Sequence, residues 1–272
     1  MSLSPDIMKK LASLKELVRS CESALVAFSG GVDSALVLAV AREVLGGRVL
    51  ALTAVSDLHA AEERGLAEEI AGMLGVLHEV APIDLLANEC VRANPPDRCY
   101  YCKKEIFSAL MERARAERLA CVLDGTNADD EKDYRPGKKA LTELGVKSPL
   151  RESGLAKPEV RELARMYGLP SHDRPAAPCL ATRVPYGTEL TADLMERIGR
   201  AEALLHERGF RTCRVRAHGE VARIEIPREE FPAFLSGSIP AEVALEFKKL
   251  GFTWTTLDVL GFRSGSMDEA LR

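Results

Sequence analysis

The chain has 272 residues, 46% of them hydrophobic, enough for a full core and compatible with two domains. Thirty-seven basic against 41 acidic side chains give a net charge of -4, which argues against a nucleic-acid partner, since such binding relies on basic surface. The apolar runs fall short of a membrane span and residues 1–21 carry charges throughout, so neither a membrane segment nor a signal peptide is expected and the cytoplasm is the default. Seven cysteines in such a chain point to thiol or metal chemistry rather than to a disulfide framework.

Leu11, Leu14, Leu17 and Val18 recur at helical spacing, which predicts an amphipathic helix over residues 7–20 at the edge of the first domain. Strand 24–28 follows, then Ser29, Gly30, Gly31, Val32, Asp33 and Ser34, then a helix over 35–45. Two glycines let a turn press its N–H groups against an anion, and the start of a helix adds unpaired N–H groups and the positive end of its dipole. The hydroxyls of Ser29 and Ser34 can donate to the same oxygens. Asp33 beside polyphosphate is repulsive unless a divalent cation lies between them, so the stretch implies Mg²⁺ with a nucleotide. It is neither a P-loop, in which a Lys would stand where Asp33 is, nor the G-x-G-x-x-G dinucleotide fingerprint. It resembles the SGGxDS pyrophosphate loop of the ATP-pyrophosphatases, among them GMP synthetase, NAD synthetase and the tRNA thiolases, which split ATP into AMP and pyrophosphate.

A buried-type strand over 48–55, a helix over 60–74 and a strand near 76–80 continue an alternation that predicts an α/β fold with a doubly wound parallel sheet. Ligands sit beyond the carboxyl ends of such strands, which places Ala54, Val55 and Ser56 near the adenine. Two prolines then precede a helix whose first turn carries Cys99 and Cys102 on one face, with Arg98, Lys103 and Lys104 close by. That setting favours thiolates, but packed cysteines, a redox dithiol and half a zinc site are alternatives among which the spacing alone does not choose. A helix to Leu119 leads to strand 121–124 and then to an acidic stretch, Gly125 to Asp133, which with Asp124 holds five acids; it could bind Mg²⁺, orient a ribose or be a solvated turn. A helix over 135–145, a short strand over 147–150 and a helix from Pro158 to Tyr167 close a first domain, 1–170.

The stretch from Leu169 to Leu190 contains Pro170, Pro175, Pro178 and Pro185 and should be a rigid, irregular connection. Cys179 lies on it between Arg174 and Arg183, a setting for exposure and a lowered thiol pKa, with packing the alternative. The second domain, 171–272, reads as a smaller α/β unit: helix 191–208, strand 211–217, strand 221–226, helices near Phe231 and over 241–250, and strand 254–260. Arg211, Arg214 and Arg216 would alternate along one strand face beside Arg223, either as an anion site or as a solvated face. The five histidines have no ligand spacing.

The Ser29 to Ser34 loop, the Arg98 to Lys103 segment with its two cysteines, Asp124 to Asn127, Pro178 to Gly187, Cys213 to Arg216 and Gly261 to Ser266 together make the whole chain resemble the LarE family. These are ATP-dependent sulfur transferases that convert the carboxylates of a pyridinium dicarboxylate mononucleotide to thiocarboxylates on the way to the nickel-pincer nucleotide of lactate racemase. The resemblance implies a PP-loop, HUP-type fold. ATP and pyrophosphate would be held by Ser29, Gly30, Gly31, Asp33 and Ser34 with Ala54 and Gly125. Mg²⁺ would sit at Asp33, with Glu202 a weaker ligand, and Lys103 or Lys104 would neutralise transition-state charge. Arg214 and Arg216, with Arg183, would hold the substrate, and Cys179 would be indispensable. Members with only the cysteine matching Cys179 give up its sulfur, whereas Cys99, Cys102 and Cys179 match the form with a 4Fe-4S cluster, one iron of which is open to an extra sulfide from a donor. A homo-oligomer is also implied. The rival readings are a tRNA thiolase, disfavoured by the acidic charge and the lack of an RNA module; an amidating synthetase, for which no glutaminase segment is seen; and a non-enzymatic adenine-nucleotide sensor, in which the cysteine loop would have no purpose.

Overall fold

A computed structural model describes residues 3–59, 62–131, 136–174, 179–263, 265–267 and 269. Ala60, Asp133, Arg135, Pro175, Pro178 and Ser264, which figure in the expectations above, lie outside the described residues. In chain order the elements are α1 (Pro5–Arg19), β1 (Ala24–Ala27), α2 (Val32–Leu45), β2 (Val49–Val55), α3 (Glu62–Leu74), β3 (Leu77–Pro82), the single turn α4 (Glu89–Arg92), α5 (Arg98–Ala116), β4 (Cys121–Leu123), α6 (Gly137–Glu143), α7 (Pro149–Glu152), α8 (Lys157–Met166), α9 (Ala192–Glu207), β5 (Arg214–His218), β6 (Val221–Glu225), α10 (Phe231–Phe234), α11 (Ile239–Lys249) and β7 (Trp254–Leu257).

The chain divides into two compact units, and not by a single cut. The first comprises Met1–Ser56, Ala61–Leu85 and Asp97–Ala177; the second comprises Asp57–Ala60, Leu86–Pro96 and Pro178–Arg272.

In the first unit β1 to β4 form a parallel sheet in the order β3-β2-β1-β4. Strand residues alternate between two apolar layers, as the two-residue period of a strand requires. Ala24, Val26, Val49 and Ala51 join α1, α2 and α8 on one face, through Leu14, Leu36 and Leu163 among others. Leu25, Leu50 and Leu52 join Phe107, Leu110 and Ala114 of α5 on the other. Helices on both faces make this the doubly wound sheet expected from the alternation. Helix α2 is buried almost all round, from Val32 to Leu45, because α1 and α8 cover the side that the sheet leaves open. The expected strand at 147–150 is instead one parallel bridge, Leu123 to Lys147, since Pro149 opens α7 and ends the pairing.

The second unit holds a mixed sheet, with β5 antiparallel to β6 and β7 parallel to β6. Val215 and Ala217 face Ile224 and Ala222 and are buried with α9 residues Ile198, Ala201 and Leu205 and with Phe247 of α11. The opposite face carries Arg214, Arg216, Arg223 and Glu225, of which Arg216 and Glu225 are also buried. Strand β5 begins at Arg214, so Arg211 lies in the turn after Phe210 and does not join the row of arginines expected from the sequence.

Candidate active site

The order β3-β2-β1-β4 reverses direction at β1, and the loops after β1 and β4 flank that point, where doubly wound sheets bind ligands. The first is the glycine-rich loop. Gly30 has φ +76, and a Cβ there would stand 3.1 Å from the backbone nitrogen of Ala67 in α3, so only glycine fits. Helix α2 starts at Val32, earlier than its apolar run suggested, which puts Asp33 and Ser34 in its first turn. Gly31 supplies no side-chain cap, and the loop's own hydroxyls organise it. Ser34 Oγ donates to the Gly31 carbonyl at 3.1 Å and lies 3.2 Å from Ser29 Oγ, and the Gly31 amide donates to Ser29 Oγ at 3.4 Å. Such a helix start favours anions through its free amides and dipole.

The second loop packs directly on the first. A Cβ on Gly125 would lie 2.9 Å from the Ser34 nitrogen and 3.2 Å from Asp33, so glycine here lets the two loops touch. Asp124 is buried and accepts from the Thr126 amide and hydroxyl, which fixes the turn. Asn127 Nδ2 then donates to Asp33 Oδ1 at 3.1 Å, and Asp129 accepts from the Lys157 amide at 2.8 Å, tying the loop to the start of α8. Of the acidic stretch, Asp124, Asp129 and Asp130 therefore hold backbone and neighbouring side chains in place.

Asp33 is ion-paired with Lys157, a residue that no sequence motif singles out. Lys157 is 124 positions away; its only signal is its place at the start of a helix headed by Pro158. Of the lysines expected here, Lys104 donates to Tyr100 and pairs with Glu143, and the stem of Lys103 packs where a Cβ on Gly137 would sit. Ala54 is near the end of β2, opposite Ala81, and half-buried. The oxygen donors of the loop, Asp33 above all, are of the kind Mg²⁺ takes.

Cys99 and Cys102 lie in the first two turns of α5, Cys99 exposed and Cys102 half-buried, and Arg98 Nη2 reaches Cys99 Sγ at 3.8 Å. Cys179 belongs to the second unit and caps the short 3-10 turn Leu180–Arg183. Its carbonyl accepts from Thr182 Oγ1 at 2.8 Å and from Arg183 Nη1 at 3.3 Å. Among the described residues no group of three or more His, Cys, Asp or Glu side chains is gathered to hold a metal ion. The three thiols expected to carry a cluster are soft ligands that suit iron, but neither unit alone supplies all of them.

Arg183 and Glu202, expected as a substrate contact and a weaker cation ligand, hold each other. Arg183 Nε and Nη2 donate to Glu202 Oε1 and Oε2 at 2.8 and 2.9 Å, and the Val215 amide donates to Oε1 at 2.9 Å. Both side chains are buried, so the fork fastens the Cys179 turn to α9 and β5. On the polar sheet face Arg216 donates to Glu225 Oε2 at 2.8 Å and to the Thr182 carbonyl at 2.9 Å. Arg223 and Ser266 take the other Glu225 oxygen, and Asp258 pairs with Arg223 and Arg263. Arg214 lies with its guanidinium 5.4 Å from the Phe262 ring. Burial and the neighbouring Arg183 push its pKa down, as crowded cations do. Alternation would send this face to water; burying it as an ion-pair network costs desolvation and is informative about function.

Comparison with known proteins agrees with the geometry. Residues 11–131 match the asparagine synthase family model. That match and the loop pair at the switch point put the first unit in the PP-loop ATP-pyrophosphatase superfamily. The chain is 42% identical over 262 residues to an uncharacterized protein of Synechocystis, covering 96% of this chain and 98% of the other. It is 41% identical over 263 residues to the pyridinium-3,5-bisthiocarboxylic acid mononucleotide synthase of Lactiplantibacillus plantarum, covering 96% and 95%. An uncharacterized protein of Methanocaldococcus jannaschii is 26% identical over 260 residues, 94% of this chain and 98% of that one. The chain belongs to the family of the Lactiplantibacillus synthase. No described helix is long and apolar enough to cross a membrane.

Proposed function

We propose that the protein is an ATP-dependent sulfur transferase of the LarE type, acting on pyridinium-3,5-biscarboxylic acid mononucleotide in the cytoplasm as a homo-oligomer. The observation that carries the reading is the near full-length similarity to a synthase named for the bisthiocarboxylic acid product, in a chain that carries the Ser29 to Ser34 loop and Cys179.

The chemistry follows from what a carboxylate lacks. Oxide is a poor leaving group, so a substrate carboxylate oxygen first attacks the ATP α-phosphorus and pyrophosphate departs into the Ser29 to Ser34 loop, leaving an acyl-adenylate. Mg²⁺ would be held at Asp33, and Lys157, released from that carboxylate, is the cation for the departing pyrophosphate; Lys103 and Lys104 are the other candidates. Arg214 would hold the substrate phosphate, with Arg216 and Arg183 shaping the surface beneath it. A sulfur nucleophile then attacks the activated carbonyl carbon and AMP leaves.

The sulfur source we favour is a 4Fe-4S cluster, which Cys99, Cys102 and Cys179 would hold and which would supply the sulfide taken from a donor. The second reading, favoured by the partly exposed position of Cys179 at the head of its turn, is sacrifice. There Cys179 Sγ displaces AMP to give a thioester, loss of the Cα proton breaks the Cβ–Sγ bond, and the thiocarboxylate departs, leaving dehydroalanine.

The test is to purify the protein without oxygen, assay iron and sulfide, add ATP, Mg²⁺ and the dicarboxylate mononucleotide, and weigh product and polypeptide. Thiocarboxylate with AMP and pyrophosphate supports the reading; an unchanged substrate with every cysteine reduced and iron supplied overturns it. Polypeptide lighter by H₂S marks sacrifice, and loss of activity in Cys99→Ala marks the cluster.

A further inference from the structure

Cys21 and Cys121 have no part in the chemistry above, yet the fold builds a site around them. They are 100 positions apart, at the end of the sheet opposite the glycine-rich loop: Cys21 just before β1, Cys121 at the start of β4. The turn between Cys21 and Ser23 is tight. Ser23 N donates back to the Cys21 carbonyl, Glu22 sits at φ +61, a conformation costly for a glutamate, and the Ser23 carbonyl accepts from the Cys121 amide at 3.2 Å. Cys121 Sγ thereby reaches the Cys21 carbonyl at 4.0 Å, which brings the two thiols to the same end of the sheet.

Lys147 completes the cluster. Its backbone pairs with β4 on both sides, donating to Val122 O and accepting from Asp124 N, each at 3.0 Å, and its ammonium lies 3.6 Å from Cys21 Sγ and interacts with both sulfurs. The arrangement is asymmetric: Cys21 is 1% exposed, whereas Cys121 is half-buried and within reach of a small oxidant. The neighbouring Cys21 thiol and the Lys147 charge push the Cys121 thiol pKa down against the opposing effects of burial and Glu22, while the neighbouring Cys121 and burial push that of Cys21 up. A lone buried cysteine packs as a small apolar side chain; a dithiol with its own lysine is a reactive device.

We propose that Cys21 and Cys121 form a peroxide-sensitive pair that closes to an intramolecular disulfide, with Lys147 as the cation serving the attacking sulfur. The Cys121 sulfur attacks hydrogen peroxide, the O–O bond breaks, hydroxide leaves as water with one proton taken up, and a sulfenic acid remains. Cys21 then gives up its proton, its sulfur attacks that of Cys121, the S–O bond breaks and a second water leaves. The dithiol is oxidised by two electrons and one peroxide is reduced to two waters.

The test treats the fully reduced, full-length protein with limiting hydrogen peroxide and maps peptides without reductant. The expected result is a Cys21 to Cys121 cross-linked peptide and, in Cys21→Ser, a Cys121 sulfenic acid trapped by dimedone. Lys147→Met should slow oxidation of Cys121 by about tenfold when measured at about pH 5, below the thiol's pKa, where one pKa unit of lost stabilisation is a tenfold loss of thiolate. In the unmutated protein, alkylation of Cys121 should level off at a lower pH than that of the exposed Cys90, a comparison that stands even if a variant fails to fold. Absence of the cross-link when peroxide oxidises Cys90, or identical pH profiles for Cys90 and Cys121, would overturn the proposal.

Discussion

Lys157 Nζ forms an ion pair with Asp33 Oδ2, and Asn127 Nδ2 occupies the other oxygen, so the acid of the phosphate loop is already neutralised before any nucleotide arrives. For Mg²⁺ to reach Asp33 beside ATP, the lysine must yield an oxygen, and the displaced ammonium can then turn to a phosphate. Lys157→Ala should therefore lower the rate of pyrophosphate release by about 10²-fold, while the Mg²⁺ concentration giving half-maximal rate falls because the competing cation is gone. A magnesium titration of pyrophosphate release at saturating ATP reads both effects, and an unchanged rate would remove Lys157 from the chemistry.

Gly125→Ala is expected to separate the two loops. The added methyl would sit 2.9 Å from the Ser34 nitrogen, and overpacking of this kind costs about 1–3 kcal/mol. Thermal unfolding with and without ATP checks it: the midpoint should drop, and the stabilisation conferred by ATP should shrink more than the midpoint itself.

Arg214 and Arg216 share a strand face but should respond differently. Arg216→Ala removes the guanidinium from one oxygen of the wholly buried Glu225, leaving Arg223 and Ser266 on the other, so the loss should appear mainly in the thermal midpoint. Arg214→Ala should leave the midpoint within a few degrees and raise KM for the mononucleotide by about tenfold or more, the worth of one charge-assisted phosphate contact. Equal effects on stability would argue that Arg214 is as much a part of the network as Arg216.

Glu202→Ala strands the buried Arg183 guanidinium, and breaking a buried pair from one side costs about 3–5 kcal/mol. Since the same guanidinium holds the Cys179 carbonyl and Thr182, the variant should also alter the alkylation rate of Cys179 in protein that remains folded. Thermal denaturation together with peptide-resolved alkylation measures the two effects separately.

Asp258 gives a pH dependence with a definite sign. Burial alone would raise its pKa, but the Leu260 amide, Arg263 and Arg223 outweigh burial and hold it below the usual 3.8. A folded-state value below the unfolded one stabilises the fold at any pH above the unfolded value, and that contribution is lost as the pH falls through the folded value. Asp258→Asn should thus be less stable than the parent at pH 7, by about 1 kcal/mol, with the gap closing only below 3.8. Denaturant titrations of both proteins along a pH series test this; a gap independent of pH would assign the loss to packing.

What the sequence disclosed and what it withheld divide along contact range. The glycine-rich turn was readable because its whole logic, two glycines, two hydroxyls and an acid ahead of a helix, lies within six consecutive residues. The doubly wound sheet was readable because strand and helix periods alternate locally. Lys157, by contrast, meets Asp33 only through folding, and no spacing rule connects them. Arg183 and Glu202 entered as ligand contacts through the family resemblance; that they also pair with each other depends on α9 lying against the Cys179 turn, which no local pattern shows. The arginine row failed at Arg211 because periodicity cannot say where a strand starts, and the expected strand after Lys147 gave way because Pro149 admits only one bridge.

The interleaving of the two units makes the second depend on three separate stretches of the chain. The segment after Cys179 hydrogen-bonds to two earlier excursions of the chain: Leu180 to Leu58, Gly187 to Asn94 and Leu190 to Arg92. As synthesis proceeds, those docking patches emerge well before the hinge that will use them, held in loops that follow β2 and β3. The tail from Leu180 onward, released on its own, would lack the carbonyls it was made to grip, so a fragment that begins there should be less stable than the same residues within the whole chain.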